Sequence, residues 1–332
     1  SFDGYLGRSA VAVNGTRGKE ETVTNLHTDG FGVFGYQNSS ATHSATESFD
    51  ANLFNNQKVT YDNTNSKWTY SPLKFWPSDG HIDFLAYAPY GAGTFEDTYH
   101  LKFNVSETIT DQKDLLWTNA TSKITADITK KKVNFQFHHA LSRLGYTVRL
   151  TGDYSSSNVT FTLKKITLAG SADETKKAFY KEGTIDLSKT PSSEGLWTNL
   201  SSDKQNFLNW FSGDKPLSNT ETKNPDNEYL FVIPQNFSKD KTPGGSDVDE
   251  LYVIVQYTID YTDGTTPSVT NTVYKQIKKD FKQGKAYMLN LTLGLPIEFD
   301  VNVTGGIGAG IDGWGTDDGI NIGSNDTPWE RK

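Results

Sequence analysis

Cysteine is absent from all 332 residues. No disulfide and no thiolate metal centre can therefore hold the fold together, and hydrophobic burial must do so. No apolar run approaches the roughly 18 residues that a membrane-spanning helix requires, and the mean hydropathy is −0.58. The net charge is −8, from 32 basic and 40 acidic residues, so nothing recommends nucleic acid or an anionic membrane as a partner. The densest basic cluster, Lys130-Lys131-Lys132, reads as a solvated turn that discourages edge pairing. Helical periodicity is nearly missing too. Its one candidate is Ser202 to Phe211, where Ser202 or Asp203 would cap and Phe207, Trp210 and Phe211 would share a face.

What is present is β grammar. There are 19 Phe, 16 Tyr and 29 Gly but one Met, a composition suited to antiparallel sheets with wet outer faces and many turns. Val133, Phe135, Phe137 and His139 alternate with polar neighbours. Leu144, Tyr146, Val148 and Leu150 keep the period of two with shifted parity, so Ala140 to Arg143 must absorb a residue, by a bulge or a crossing between sheets. Further strand-like runs fall at Gly32 to Tyr36, Lys58 to Tyr61, Lys67 to Tyr70, Ile82 to Ala88 and His100 to Val105. In the second half, Val159 to Leu168 carries another parity shift, Leu251 to Tyr261 is the longest clean alternation, and Tyr287 to Leu293 alternates again. Asp62 to Ser66 reads as a hairpin loop.

Two of these segments resemble a known family. They are Phe75-Trp76-Pro77 followed by Asp83-Phe84-Leu85-Ala86-Tyr87-Ala88-Pro89, and Phe135-Gln136-Phe137-His138-His139-Ala140-Leu141-Ser142-Arg143-Leu144. Together they are similar to the fimbrillin-like proteins of Bacteroidales, surface lipoproteins that build, tip or anchor pili. The periodicity predicts an all-β sandwich, repeated. The resemblance narrows this to two tandem transthyretin-like β-sandwich domains with very little helix. We place the boundary near Thr129, giving an N-terminal domain over 1–129 and a C-terminal domain with a flexible tail over 130–332. Phe135, Phe137, Tyr146, Val148, Val253, Val255, Leu289 and Leu291 are expected in the second core.

The resemblance also implies a role: a stalk, tip or anchor subunit of an outer-membrane-attached fimbrium, exchanging strands with other pilus subunits. A lipid-modified cysteine would precede Ser1 on the precursor. In the family an arginine-specific protease removes an N-terminal strand, and Arg8 and Arg17 are the matching positions here; ordinary surface arginines is the competing reading. An N-terminal strand within Ser9 to Gly18 would fill a groove in the first domain. The donor candidates are Ile297, Phe299, Val301 and Val303, with Ile320 and Ile322 in the tail as the alternative. A second functional reading is a surface binding module for glycans or host proteins.

No catalytic apparatus, metal centre or cofactor site is legible. The adjacent His138 and His139 point to opposite faces of a strand, and the other histidines are scattered. No carboxylate pair stands out for glycoside hydrolysis. The Gly305 to Gly323 stretch has no following helix to cradle phosphate, and Asp312, Asp317 and Asp318 lack the spacing of an EF-hand loop. The Asn-x-Ser/Thr sequons, such as Asn104 and Asn290, are of a kind that any Asn- and Thr-rich β-protein contains. The expectation is no enzymatic activity, no cofactor and no tightly bound metal.

Overall fold

The computed structural model describes residues 2–5, 20–44, 48–123, 132–190, 196–294, 300–306, 320–322 and 330–331. These residues form a nearly all-β protein with one α-helix, Val23–Asp29. The helix was not legible as periodicity because it is only seven residues long. Its boundaries are nonetheless chemical: Thr22 accepts a hydrogen bond from the Asn25 amide, and Gly30 closes the helix at φ 72°. A Cβ at Gly30 would also lie 2.6 Å from the Val59 carbonyl oxygen, so only glycine fits.

One six-stranded sheet runs in the order His138–His139, Leu116–Lys123, His81–Ala88, Phe31–Asn38, Phe54–Asp62, Lys67–Thr69. Every pair is antiparallel. The expected hairpin at Asp62 to Ser66 joins the last two strands, and Asp62 Oδ1 caps it by accepting from the Thr64 and Asn65 amides. All eight residues of His81–Ala88 are buried, so this central strand is covered on both faces. Ile82, Phe84, Ala86 and Ala88 join Phe31, Val33, Leu116 and Trp68 in a smaller core. Leu85 and Tyr87, of opposite parity, join a larger core that continues through the second half of the chain.

That larger core fills the space between two further sheets. One is ordered Thr222–Lys223, Ser142–Leu150, Ala286–Leu293, Asp300–Gly306, Ile320–Ile322; the other Phe207–Leu217, Val159–Ala169, Leu251–Tyr261, Val269–Ile277, Glu330–Arg331. Leu144, Tyr146, Val148, Leu289 and Leu291 face Leu163, Ile166, Val253, Val255 and Tyr257 across it. Ser142–Leu150 and Ala286–Leu293 run parallel over eight residue pairs. The parity shift in Val159–Ala169 is a bulge between Leu163 and Lys165. A smaller sheet pairs His100–Asn104 with Glu182–Asp186, stitching the two halves together.

Two expectations are corrected. Phe135 and Phe137 lie in the smaller core, not the larger: their rings meet Phe31 edge-on, with centroids 6.0 and 5.4 Å away. The chain packs on the smaller core through Phe137, joins the first sheet at His138–His139, crosses at Ala140 and Leu141, and enters the larger sandwich at Ser142. The expected crossing is thus present, but it comes after the phenylalanines. Thr129 itself lies outside the described residues. Ser202 to Phe211 is not helical but contributes the strands Lys204–Gln205 and Phe207–Leu217. Phe207 pairs with Leu168 and Phe211 with Ile166, so four steps on one strand oppose two on its neighbour. This irregularity produces the apolar spacing of three and four that imitates a helix.

Candidate subunit interface

The smaller core is closed on its outer side by a two-stranded parallel ribbon. Phe2–Tyr5 pairs with Val133–Gln136 in the register Phe2 to Val133 and Tyr5 to Gln136. The alternation of Val133–Gln136 explains its placement: Val133 and Phe135 are buried against Phe31 and Phe84, while Asn134 is exposed. The backbone amides and carbonyls of this strand find their ladder partner in Phe2–Tyr5. Phe2–Tyr5 thus completes the ribbon whose other strand, Val133–Gln136, packs on the smaller core.

Next to Val133 an aromatic groove opens, lined by Leu53, Phe54, Tyr70, Trp76, Ile82 and Phe84. Tyr70 packs edge-on against Phe54, and Trp76 does so against Phe84. Phe75, on its lining, is 81% exposed and nearby Leu73 66%, the two most exposed large hydrophobic side chains among the described residues. Exposed rings beside an apolar groove are the kind of surface that a partner covers.

Downstream of the ribbon, the chain is fastened at Glu20 and Glu21. Arg143 donates to Glu20 at 3.0 Å and lies over the Tyr229 ring at 4.3 Å. The Glu21 amide donates to Asp114, which also sits 3.0 Å from His139 Nδ1. Asp114 is fully buried, and that burial raises its carboxyl pKa against the opposing pull of His139. Arg8 and Arg17 fall between the ribbon and this fastening point. Both lie outside the described residues, as does the segment Ser9 to Gly18.

At the other end of the chain, Asp300–Gly306 is hydrogen-bonded on both sides. It pairs with Ala286–Leu293, with Val301 opposite Leu291 and Val303 opposite Leu289, and with Ile320–Ile322. Ile320–Ile322 is the outermost strand of that sheet. Of the donor candidates, Val301 and Val303 therefore occupy an interior strand and Ile320 and Ile322 an edge strand. Ile297 and Phe299 lie outside the described residues.

The histidines separate as the strand parity requires. His139 is buried on Asp114, whereas His138 is half-buried beside Trp117. His27 stacks on Tyr61 with centroids 3.5 Å apart, and burial lowers its pKa. One constellation escaped sequence reasoning: His43, His81 and Asp83 bring ligand atoms within 4.8 Å of one another. The local signal was His81-x-Asp83, two residues on one face of a strand. The third member, 38 positions upstream, arrives only through the pairing of Phe31–Asn38 with His81–Ala88. As for a glycan cleft, Trp68, Trp117 and Trp210 are buried core residues, and Trp76 and Trp197 are half-buried.

The profile of the fimbrillin-like family matches residues 16–314. The chain belongs to that family. Among curated proteins it is similar to fimbrium subunit Fim1C of Phocaeicola vulgatus, with 27% identity over 313 residues, spanning 84% of this chain and 81% of the relative. Among solved structures it resembles a fimbrial protein from Bacteroides vulgatus, with a TM-score of 0.69 and 21% identity over 95% of this chain and 98% of the other. That similarity shows the shared β-sandwich fold over nearly the whole length. The fimbrillin-like family supplies structural subunits of cell-surface fimbriae, and the chain is not an enzyme.

Proposed function

We propose that this protein is a pilus subunit that joins its neighbours by exchanging the strand paired with Val133–Gln136. The observation that carries this reading is the position of Phe2–Tyr5. It forms one half of a two-stranded ribbon over the smaller core, and it lies upstream of both Arg8 and Arg17. Cleavage after either arginine would detach the ribbon strand from the chain and leave Glu20 and Glu21 fastened to Arg143 and Asp114. Val133 and Phe135 would then present an edge whose backbone groups require a new partner.

The neighbour's C-terminal segment is the donor in this scheme. Ile320–Ile322 is favoured over Val301 and Val303 because an edge strand gives up one ladder on leaving, and an interior strand gives up two. The reading divides the subunit at Ala140 and Leu141 into two sandwiches, with a lipid anchor on the precursor holding it to the outer membrane.

The test is arginine-specific proteolysis followed by electron microscopy. Cleaved wild-type protein should form filaments, while the double variant Arg8→Ala/Arg17→Ala stays monomeric. Ile322→Asp should be cleaved and remain folded yet yield no filaments. Filaments from uncleaved double variant, or undiminished filaments from Ile322→Asp, would overturn cleavage and donation respectively.

A further inference from the structure

His81 and Asp83 lie two residues apart on the strand His81–Ala88, so their side chains leave the same face. Both are buried. The chain that follows the neighbouring strand Phe31–Asn38 turns back and brings His43 over them. Asp83 Oδ2 is 2.9 Å from His43 Nδ1 and 3.5 Å from His81 Nε2. The two imidazole rings stand at 82° to one another.

The tautomer of His81 follows from its other nitrogen. Nδ1 is hydrogen-bonded to the Ser40 carbonyl oxygen, which can only accept, so Nδ1 carries the proton. In the neutral ring Nε2 is then the lone-pair nitrogen, and it faces the Asp83 carboxylate. An imidazole whose Nδ1–H is held by a backbone carbonyl, with Nε2 turned toward a carboxylate, is how metal-ligating histidines are oriented.

The two separations from Asp83 fit a metal. Ligand atoms bonded to Zn²⁺ at about 2.0–2.1 Å in tetrahedral geometry stand about 3.3–3.4 Å from one another, and the two separations at Asp83 bracket that value. The donor set selects the ion class, because two imidazoles and one carboxylate favour zinc-like transition metals over Ca²⁺ or Mg²⁺. We propose that His43, His81 and Asp83 form a binding site for a Zn²⁺-class divalent cation. The ion fastens the segment after Asn38 to the end of the first sheet. Water completes its shell.

The test uses untagged, metal-stripped, full-length protein titrated with ZnCl₂ in a calorimeter. The expected result is one equivalent bound. Loss of a direct ligand should weaken binding by more than the ~10–100-fold typical of an outer partner, so His43→Ala and Asp83→Asn should each fall by at least ~100-fold. His100→Ala is the control. His100 also lies between carboxylates, Asp97 and Asp186, but it meets them through opposite ring nitrogens and cannot hold one ion with both. It should bind as wild type does. His43 is half exposed, so its replacement leaves the core intact. In a second readout Zn²⁺ should raise the unfolding midpoint of wild type and His100→Ala but not of His43→Ala. No stoichiometric uptake by wild type would overturn the proposal. Unchanged binding in both His43→Ala and Asp83→Asn would overturn it equally.

Discussion

Outside the sheet centred on His81–Ala88 lies a parallel ribbon four residues long, built from Phe2–Tyr5 and Val133–Gln136. Opposite the sheet containing Ser142–Leu150 lies an antiparallel layer in which Val159–Ala169 and Leu251–Tyr261 each run eleven residues. Phe2–Tyr5 is paired along one edge only, whereas Val159–Ala169 and Leu251–Tyr261 are each paired along both. For the proposed exchange, the contrast sets which strand is lost at least cost. Removing an interior strand such as Leu251–Tyr261 from the larger sandwich breaks two long ladders and opens a core shared with the first sheet, whereas removing Phe2–Tyr5 breaks one short ladder and leaves the sheet behind it intact.

Four measurements would break or sharpen this contrast. The largest effect belongs to the larger core: Leu289→Ala, which removes a side chain 1% exposed, should cost about 2–5 kcal/mol in denaturant unfolding. A cost below 1 kcal/mol would mean that this layer is not closely packed. A chain beginning at Ser9 should lose about 2 kcal/mol of local protection as the short ribbon ladder goes. In hydrogen exchange this is ~30-fold faster exchange at Asn134 to Gln136, with Leu163 and Val253 unchanged. Equal acceleration at all of these amides would merge the two regions into one unfolding unit.

Smaller effects come from the fastening point. Arg143→Ala should cost about 1–2 kcal/mol through the lost Glu20 ion pair and Tyr229 contact. It should speed exchange near Glu21 more than within Leu251–Tyr261. The smallest effect is a pH dependence. The Asp114 carboxyl has a folded pKa raised above its ordinary 3.8 by burial, so above that value the folded state holds a proton that the unfolded state has released. Stability from this group is full below about pH 4 and declines as pH rises toward the folded pKa. The difference in stability between wild type and Asp114→Asn should therefore fall with rising pH from about 4. A difference that rises would show that His139 outweighs burial.

Much of this was legible from alternation alone. Tyr146, Val148, Val253, Val255, Leu289 and Leu291 lie in the larger core because period-two patterning fixes which side chains face inward. Phe135 and Phe137 were misassigned for a definite reason. Alternation specifies the face of a strand but not the sheet it joins, and the crossing at Ala140 decides that. Phe207 and Trp210 imitated a helix because a bulge inserts residues without changing composition. The His43 cluster and the ribbon were illegible for a third reason: each depends on partners 38 or more residues away, and local pattern carries no information about such pairings.

In the proposed exchange, Phe2–Tyr5 must leave Val133–Gln136 before subunits can join. Because the chain lacks cysteine, a single engineered disulfide tests this cleanly. Asp3 and Asn134 are register partners in the ribbon, at a spacing that a disulfide spans. The variant Asp3→Cys/Asn134→Cys, oxidised and then treated with arginine-specific protease, should be cut but remain monomeric, and reduction should release the strand and permit filaments. Filaments forming equally well while the disulfide is intact would rule out exchange of this strand.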